Sequence, residues 1–571
     1  MAIIGIDLGT TNSLVSVWKD GKAQLIPNSF GEYLTPSIVS FGEDGEVFVG
    51  KIAKEMLITN PTRTFKEFKR DMGTDIKYMV DGKSYSPEEL SAFVLKKLKE
   101  DAEAYLGETV NEAVISVPAY FDDDKRCATK NAGKLAGIKV DRLINEPSAV
   151  ALKNHSIEDS ETFIVFDFGG GTLDVSLVDA FENMVEIVAV AGDNRLGGKD
   201  FNEVIAKDFY ETNYLNAGLL SEEERGMIIK EAELLKMDLT KSNSASRKIY
   251  IQNIEYEMSM TNKRLIQISK DLFIRMSEPI KKVINDGDIS MDDVDKLILV
   301  GGSSKMPIVA KYIESIVDME VVLDGNPDES IAMGVGTAAG IKERTGDIKD
   351  MILSDICPFS LGVGVVDGTF SPIISRNEVL PCSITKLYST STDNQTRVDI
   401  PIFQGENLMA LDNLKLGEVS ISNITPAPKG SIPILVTFMY DINGILDIKV
   451  VCENHSTQKV IMNKNIGLTE EELAKKIEEL KKITMHPVEN EQNRFLIEKA
   501  NRLFRESDER KRMQIVEVLN DFKKKIRNEK DFKKIRAEQV NFSIILNNLE
   551  GGQFSFDNFD ESFWDENDEN D

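Results

Sequence analysis

The stretch FIVFDFGGGT, residues 163–172, decides the fold of this chain. It opens with an apolar run typical of a buried strand and ends in three glycines and a threonine. The stretch IIGIDLGTT, residues 3–11, repeats the pattern of apolar strand, aspartate, apolar residue, glycine and threonine. A second strand is predicted after each stretch, over Ser13–Trp18 and Leu173–Val178. This repetition predicts an internal duplication at the scale of a domain.

A third apolar run ends in glycines at LILVGGS, residues 297–303. Helical periodicity between the first two stretches predicts helices over Pro87–Leu106 and Asp124–Ala136. Strands that alternate with helices indicate layered α/β architecture. The first 346 residues are therefore predicted to form a duplicated α/β domain.

The glycine-rich turns suit phosphate, because glycine lets backbone N–H groups approach phosphate oxygens without a Cβ in the way. Two opposed turns, Gly9-Thr10-Thr11-Asn12 and Gly169-Gly170-Gly171-Thr172, could clamp one triphosphate. Asp7 and Asp167 end their strands and suit Mg²⁺, which prefers carboxylates, waters and phosphate oxygens. A pair of tight turns in an ordinary sheet is the structural alternative, but the repeated pattern favours a nucleotide site.

Two common nucleotide-binding folds do not fit. The chain has no GxxxxGK[ST] motif, since Asp200 follows Gly197-Gly198-Lys199, and it has no GxGxxG motif. The remaining common solution is the actin-like duplicated ATPase fold.

Composition narrows the setting of the protein. The 571 residues carry a net charge of −28, which argues against nucleic acid and repels anionic lipid surfaces. The four cysteines are scattered without a CxxC pair, as expected for a reducing cytosol. We expect no signal peptide and no membrane span, and a bacterial cytosolic location.

The predicted secondary structure of the sequence changes twice after residue 346. Residues 359–466 are rich in predicted strands, such as Thr396–Gln404, Leu435–Tyr440 and Ile445–Val451, and indicate a compact antiparallel β domain. A capping box at Thr469–Glu472 opens amphipathic helices over 467–550. Residues 551–571 carry acidic and no basic residues, which predicts a disordered tail.

Several stretches resemble the seventy-kilodalton heat-shock (DnaK-type) chaperone family. They are VPAYF at 117–121, INEPSA at 144–149 and LGGKDF at 196–201. Residues 26–37 and 352–358 look closest to the HscC branch. The resemblance implies an actin-like ATPase domain over 1–346, a linker over 347–358, a β-sandwich peptide-binding domain over 359–466 and a short helical lid over 467–550. It implies an ATPase that couples hydrolysis of ATP to ADP, with Mg²⁺ and K⁺ as candidate ions, to the binding of unfolded or client polypeptides.

The resemblance also assigns roles to residues. Catalytic positions are Lys69, Glu146, Asp167 and Thr172, and Mg²⁺ positions, mostly through water, are Asp7, Asp167 and Asp174. Nucleotide contacts are Gly9, Thr10, Thr11, Asn12, Gly169, Gly170, Gly171, Thr172, Gly198, Glu233, Lys236, Thr240, Gly301, Gly302, Ser303, Lys305 and Asp328. Peptide-cleft positions are Val363, Val366, Tyr388, Ser391, Val398 and Ile400, and coupling positions are Pro118, Arg126 and Asp355.

Departures from the family pattern lead to further expectations. In the family, the apolar linker strand docks on the ATPase domain when ATP is bound. Ser354 interrupts this apolar run, which predicts weaker docking of the strand. The segment between Thr240 and Thr261 is shorter than the corresponding exchange hairpin of DnaK, so we expect ADP to leave without a GrpE-type exchange factor. The short lid predicts fast peptide release, and the polar Tyr388 and Ser391 predict less aliphatic peptides. A J-domain protein is the expected co-chaperone of a mainly monomeric chain.

Three other functions stay open from the residues alone. An ATP-binding holdase or nucleotide-exchange relative would cycle poorly. A small-molecule kinase of the same superfamily would not need the β domain at 359–466. The function of an actin-like filament protein would not explain the presence of the β domain and of the helices that follow it.

Overall fold

The computed structural model describes residues 2–550 with gaps. The gaps are residues 44, 155–159, 183, 253, 318, 320, 345–347, 349–350, 443, 453–454, 462–474, 477, 479–487, 508, 528 and 530. The predicted capping box at Thr469–Glu472 and the predicted tail 551–571 lie outside the described residues.

The strands of the described residues are numbered in chain order. They are β1 (Ile3–Asp7), β2 (Asn12–Lys19), β3 (Lys22–Ile26), β4 (Thr35–Pro36), β5 (Ile38–Phe41), β6 (Val47–Val49), β7 (Thr64–Lys66), β8 (Tyr78–Val80), β9 (Lys83–Tyr85), β10 (Glu112–Val117), β11 (Lys139–Asn145), β12 (Glu161–Phe168), β13 (Leu173–Phe181), β14 (Met184–Asp193), β15 (Ser244–Ile251), β16 (Ile254–Thr261), β17 (Lys296–Val300), β18 (Val321–Leu323), β19 (Ile352–Ile356), β20 (Leu361–Gly364), β21 (Phe370–Ile374), β22 (Val379–Leu380), β23 (Cys382–Ser389), β24 (Arg397–Gln404), β25 (Leu414–Ser422), β26 (Pro433–Tyr440), β27 (Leu446–Cys452) and β28 (His455–Ile461).

The α-helices follow the same order. They are α1 (Lys51–Thr59), α2 (Pro87–Leu106), α3 (Asp123–Leu135), α4 (Glu146–Asn154), α5 (Gly198–Thr212), α6 (Glu222–Asp238), α7 (Asn262–Ile268), α8 (Lys270–Gly287), α9 (Pro307–Val317), α10 (Ser330–Glu343), α11 (Val488–Glu506), α12 (Glu509–Ile526) and α13 (Phe532–Glu550).

Two sheets share one topology. The first contains five strands in the order β11-β10-β1-β2-β3, with β4 paired to β2, and the second contains five in the corresponding order β18-β17-β12-β13-β14, extended by β19 and β22. In each sheet, three strands form an antiparallel meander and two more add parallel to its first strand. This is the arrangement that the repeated glycine-ended stretches predict. We call the parts built on the first and second sheets lobe I and lobe II.

The helices α4 and α10 hold the lobes together. Helix α10 packs on β1, β2 and β3, while α4 packs on β12, β13 and β14, and the two helices also contact each other. Their backbones meet at Gly334, where an added Cβ would lie 1.7 Å from the carbonyl oxygen of Ala149. Only glycine allows this approach, so the lobes join through a tight helix pair.

A β domain and a helical region follow lobe II. Two four-stranded sheets, in the orders β21-β20-β24-β25 and β23-β26-β27-β28, enclose a core that contains Ile402, Phe438 and Val450. Helices α11, α12 and α13 pack around Leu496, Phe522 and Leu546. These elements fit a β-sandwich and a helical region, while the predicted domain boundaries stay predictions.

The strand β19 joins the β domain to lobe II. It pairs in parallel with β14, with Ile352 opposite Met184 and Ser354 opposite Glu186, and it pairs antiparallel with β22 of the β domain. Residues 352–356 of the predicted linker therefore form a strand docked on the sheet of lobe II. Ser354 is buried in this strand.

The helical region docks on lobe I. Helix α11 packs along α1, with the Phe495 ring 5.5 Å from the Phe30 ring and the Lys51 ammonium 4.6 Å from the Phe495 ring centre. Thus β19 and α11 attach the later domains to both lobes.

Candidate functional site

Two glycine turns face each other between the lobes. One connects β1 to β2 and the other connects β12 to β13. A Cβ added to Gly170 would lie 2.0 Å from Thr11 Oγ1, and one added to Gly171 would lie 3.0 Å from Thr10 Cγ2. The turns therefore touch across the cleft, and a side chain at either glycine would push the lobes apart.

The start of α5 supports the second turn. The backbone N–H of Gly198 donates to the carbonyl of Gly169 at 3.0 Å, and that of Lys199 donates to Gly170 at 3.0 Å. A Cβ on Gly197 would lie 2.4 Å from the nitrogen of Gly171. The predicted contact residue Gly198 is thus part of the same backbone cradle as residues 169–171.

Four buried carboxylates gather beside one lysine. Asp7, Glu146, Asp167, Asp174 and Lys69 are each at most 6% exposed. The Lys69 ammonium lies 2.9 Å from Glu146 Oε1. One cation against four carboxylates leaves an excess of buried negative charge, which requires protons or a further cation.

The excess charge perturbs the carboxylates. Burial, reinforced by Glu146, raises the pKa of Asp7 and of Asp174 to about 7. Burial and the three neighbouring carboxylates raise the pKa of Asp167 well above its usual range. Such groups favour the exchange of protons for a metal cation at neutral pH.

The acidic residues fit Mg²⁺ bound through water and phosphate. Among the described residues, no three Asp, Glu, His or Cys side chains come together closely enough to hold a metal ion by themselves. Mg²⁺ keeps several waters and takes one or two carboxylates plus phosphate oxygens, so this arrangement suits it. The assignment of Asp7, Asp167 and Asp174 to Mg²⁺ stays a prediction.

The segments predicted to hold adenosine approach the cradle from lobe II. The Lys236 ammonium donates to the carbonyl of Gly198 at 2.8 Å, and Ser303 Oγ donates to Gly169 at 2.8 Å. Burial lowers the pKa of Lys236 to about 8. Lys305 forms an ion pair with Asp328. The helix α6 and the turn after β17 therefore converge on one glycine loop.

The remaining predicted nucleotide residues surround this point. Glu233 lies half-buried on α6, one turn before Lys236, and Thr240 follows the end of α6. Gly301 has a φ of 82°, and an added Cβ would lie 2.6 Å from Asp167 Oδ1. Gly302 is exposed, and a Cβ there would lie 2.7 Å from Asp328 Oδ1. Asn12 begins β2, and Thr172 precedes β13.

Three contacts of the site were missed by sequence reasoning. Arg70 Nε of lobe I donates to the carbonyl of Gly171 at 3.0 Å, which ties the lobes together beside the cradle. Ser116 Oγ donates to Asp7 Oδ1 at 2.7 Å. Lys199 and Glu67 form a 2.8 Å ion pair between the lobes. The only feature of the local sequence that could have indicated one of these contacts is the position of Arg70 directly after Lys69.

Two of the predicted coupling residues, Pro118 and Arg126, lie in lobe I beside the β domain, and the third, Asp355, lies on the docked strand β19. The Arg126 guanidinium, buried in α3, donates to Asn145 Oδ1 at 2.6 Å and to the carbonyl of Phe121 at 3.0 Å. The turn that follows β10 contains the buried Pro118, whose carbonyl accepts from the Phe121 N–H. Asp355 of β19 accepts a hydrogen bond of 3.2 Å from Ser148 Oγ.

A buried carboxylate of lobe I completes this interface. Asp123 Oδ1 accepts from Tyr440 Oη of the β domain at 2.5 Å and from Gln404 Nε2 at 3.3 Å. Burial raises the pKa of Asp123 to about 7, against the effects of the Tyr440 hydrogen bond and of Arg126. Sequence reasoning also missed Asp123, Gln404 and Tyr440.

The predicted peptide residues occupy different depths of the β domain. Val363 and Ile400 are buried in its core, and Val398 and Tyr388 pack against that core. Tyr388 Oη lies 3.0 Å from Ser371 Oγ, and Ser391 is hydrogen-bonded to Gln395. Val366 is 81% exposed in the turn after β20. The assignment of these residues to a peptide cleft stays a prediction.

Comparison with known families gives one match over nearly the whole chain. The family model described as Hsp70 protein matches residues 3–81 and 74–550. In the described part of the chain, no helix is both long and apolar enough to cross a bilayer.

Proposed function

Because this chain belongs to the Hsp70 family, whose members are ATP-dependent chaperones, we propose that it binds extended segments of client polypeptides and releases them in step with ATP hydrolysis. The observation that carries the proposal is the cradle of opposed glycine turns beside the cluster of Lys69 and four buried carboxylates. The cradle is joined through β19 to a separate β domain.

The hydrolysis step follows from charge. Backbone N–H groups of the two turns would hold the phosphates, as they do in other glycine-lined anion sites. Mg²⁺ would neutralise part of the phosphate charge. Lys69 is a positive donor in a buried site, where charge that builds on the transferred phosphoryl group is stabilised strongly. Glu146 fixes the Lys69 ammonium through its 2.9 Å contact, and Asp167 and Asp174 would orient the attacking water.

The coupling step uses the docked strand. We infer that the arrangement with β19 paired to β14 and α11 on lobe I is the ATP-bound form. Hydrolysis would then release β19, and the β domain would close on its peptide. Arg126, Pro118 and Asp355 lie in or beside the interface that this release breaks.

Finer assignments rest on particular segments. Residues 26–37, which resemble the HscC branch, include Ser29 and Phe30, and both contact the docked helix α11. The hairpin β15–β16, two eight-residue strands, is the short segment that suggests exchange without a GrpE-type factor. We propose that the protein works as a monomer with a J-domain partner in the bacterial cytosol.

Single-turnover ATP hydrolysis tests the proposal. We expect an unfolded peptide and a J-domain protein to accelerate hydrolysis, and Lys69→Ala to slow it by about 10²-fold or more. Lys54→Ala, which removes an exposed lysine of α1, is the matched control and should change nothing. Tight ATP binding without stimulated hydrolysis would instead identify a holdase or an exchange relative.

A further inference from the structure

A cavity lies beside the predicted adenosine site. Its volume is about 490 Å³, and it is bordered by the end of α6, the loop that follows it, α7, α8 and α9. Thr240 and Pro307 line it, and these residues belong to or adjoin the segments predicted to hold adenosine. We call this cavity the α6–α9 pocket.

The pocket lies between two parts of lobe II, one built around the β15–β16 hairpin and the other packed on the central sheet. Helices α6 and α7 pack on the β15–β16 hairpin, whereas α8 packs on β13 and β14 and α9 packs on β18. A ligand that filled the pocket would contact both parts at once. It would therefore resist any motion that separates α6 from α9.

The lining combines cationic donors with an apolar floor. Lys241 and Lys311 contribute ammonium groups, and neither has an ion pair in the described part of the chain. None of the lining residues is an aspartate or glutamate, although the whole chain carries 96 of them. Phe273 and Tyr312, with ring centres 4.9 Å apart, and Ile308 supply the apolar surface.

These features define the ligand by its chemistry. Two ammonium groups without acidic neighbours in the lining attract an anion, and the aromatic pair favours a flat apolar body. Pockets of this size with a few convergent polar groups are typical of small-molecule sites. We propose that the α6–α9 pocket binds a small aromatic phosphate or carboxylate and that the bound ligand slows the release of ADP.

The effect on ADP rests on the proposed nucleotide function, but the binding does not. Since predicted adenosine residues lie both on α6 and in the turn after β17, separation of these segments would free ADP, and a ligand that bridges α6 and α9 opposes this motion. If the bound anion tightens the binding of ADP, then ADP must tighten the binding of the anion by the same factor, since coupling of binding free energies is reciprocal.

A direct binding experiment tests the pocket on the full chain saturated with Mg·ADP. The probe is 4-fluorophenyl phosphate, followed by fluorine NMR, with inorganic phosphate and 4-fluorophenol as separate arms. We expect saturable binding of the probe and much weaker binding of either half. Lys241→Glu with Lys311→Glu should weaken binding at least about tenfold, because repulsion replaces attraction at both positions.

The control is Lys263→Glu, which makes the same lysine-to-glutamate change at one exposed position of α7 outside the pocket lining. It should leave probe binding unchanged. Probe binding that the double variant leaves intact would overturn the site, as would equal binding of inorganic phosphate alone.

The release of a fluorescent ADP analogue tests the coupling. We expect the probe to slow release several-fold in the wild-type chain and in Lys263→Glu, and to have no effect in the double variant. An unchanged release rate in the presence of bound probe would overturn the coupling. Failure of the chain to bind ADP would count against the proposed chaperone cycle and leave the NMR result standing.

Discussion

The docked helix α11 rests on a buried charge cluster that can be broken from one side. Lys97 of α2 contacts Asp101 at 2.7 Å and Glu491 of α11 at 3.0 Å, and all three side chains are buried. Ser29 donates a further hydrogen bond to Glu491. In an undocked chain, Glu491 would be solvated and Lys97 would keep Asp101. Glu491→Ala therefore acts almost entirely on the docked state.

The size of the effect follows from the contacts that are lost. A hydrogen bond to a charged group is worth about 1.5–3 kcal/mol, and Lys97 keeps one partner after the change. We expect Glu491→Ala to weaken docking by about 2 kcal/mol, which corresponds to a shift of about 30-fold in the docking equilibrium. A fully unpaired buried charge would cost more, about 3–5 kcal/mol.

Distances between spin labels measure docking directly. Lys54 of α1 and Met513 of α12 are exposed positions for the labels. With a slowly hydrolysed ATP analogue, the wild-type chain should show one short distance, and Glu491→Ala should show a large population at longer distances. Glu517→Ala removes an exposed glutamate of α12 and should behave as the wild type.

A mutational cycle identifies the cause. In a chain that carries Lys97→Met and Asp101→Asn, Glu491 keeps its charge but has no cationic partner in the docked state, so Glu491→Ala should no longer weaken docking. The reasoning is refuted if Glu491→Ala leaves the distance distribution unchanged, or if its effect is the same with and without the other two substitutions.

Three further predictions concern contacts between the lobes and the domains. Burial in the docked structure raises the pKa of Asp123 from 3.8 to about 7, so the docked form binds the proton more tightly than the undocked form. Docking should therefore weaken as pH rises between these two values. Asp123→Asn should remove this pH dependence in the spin-label experiment. Lys230→Ala removes the ion pair between α6 and Glu506 of α11 and should speed ATP release about two- to fivefold, as measured by stopped-flow fluorescence. The same substitution should have no effect on ATP release in a chain that ends before α11. Arg70→Ala removes the donor to Gly171 and should weaken ADP binding about tenfold by calorimetry, and an unchanged affinity would show that the lobes close without it.

Elements with strong local signals were predicted closely. Helix α2 was predicted over Pro87–Leu106 and has those ends, because Ser86 and Glu89 form a capping box and Gly107 ends the helix in the left-handed region. Helix α3 begins one residue earlier than predicted, at Asp123, because Asp122 caps the N–H of Lys125. The strands that end in the glycine turns also lie where the apolar runs place them.

Contacts between distant parts of the chain could not be predicted in this way. Glu491 and Lys97 are separated by 394 positions, and each is an ordinary charged residue of an amphipathic helix. The same holds for Asp123 and Tyr440, whose partnership depends on which face of the β domain meets lobe I. Local pattern fixes the element and its buried face, but the choice of partner is decided by the packing of whole domains.

The position of α11 changes the interpretation of the short helical region. Its Glu506 contacts Lys230 at 2.5 Å, and its Arg505 contacts Glu223 at 3.1 Å; both partners lie on α6 of lobe II, while its Arg502 pairs with Glu55 of lobe I. The docked helix therefore links the two lobes across the cleft. Helix α6 also carries Glu233 and Lys236, the residues predicted to hold adenosine. Because linkage is reciprocal, a nucleotide that favours docking of α11 by holding α6 in place must itself be bound more tightly when α11 is docked. A short lid that fastens the cleft in this way would regulate exchange as well as cover the peptide.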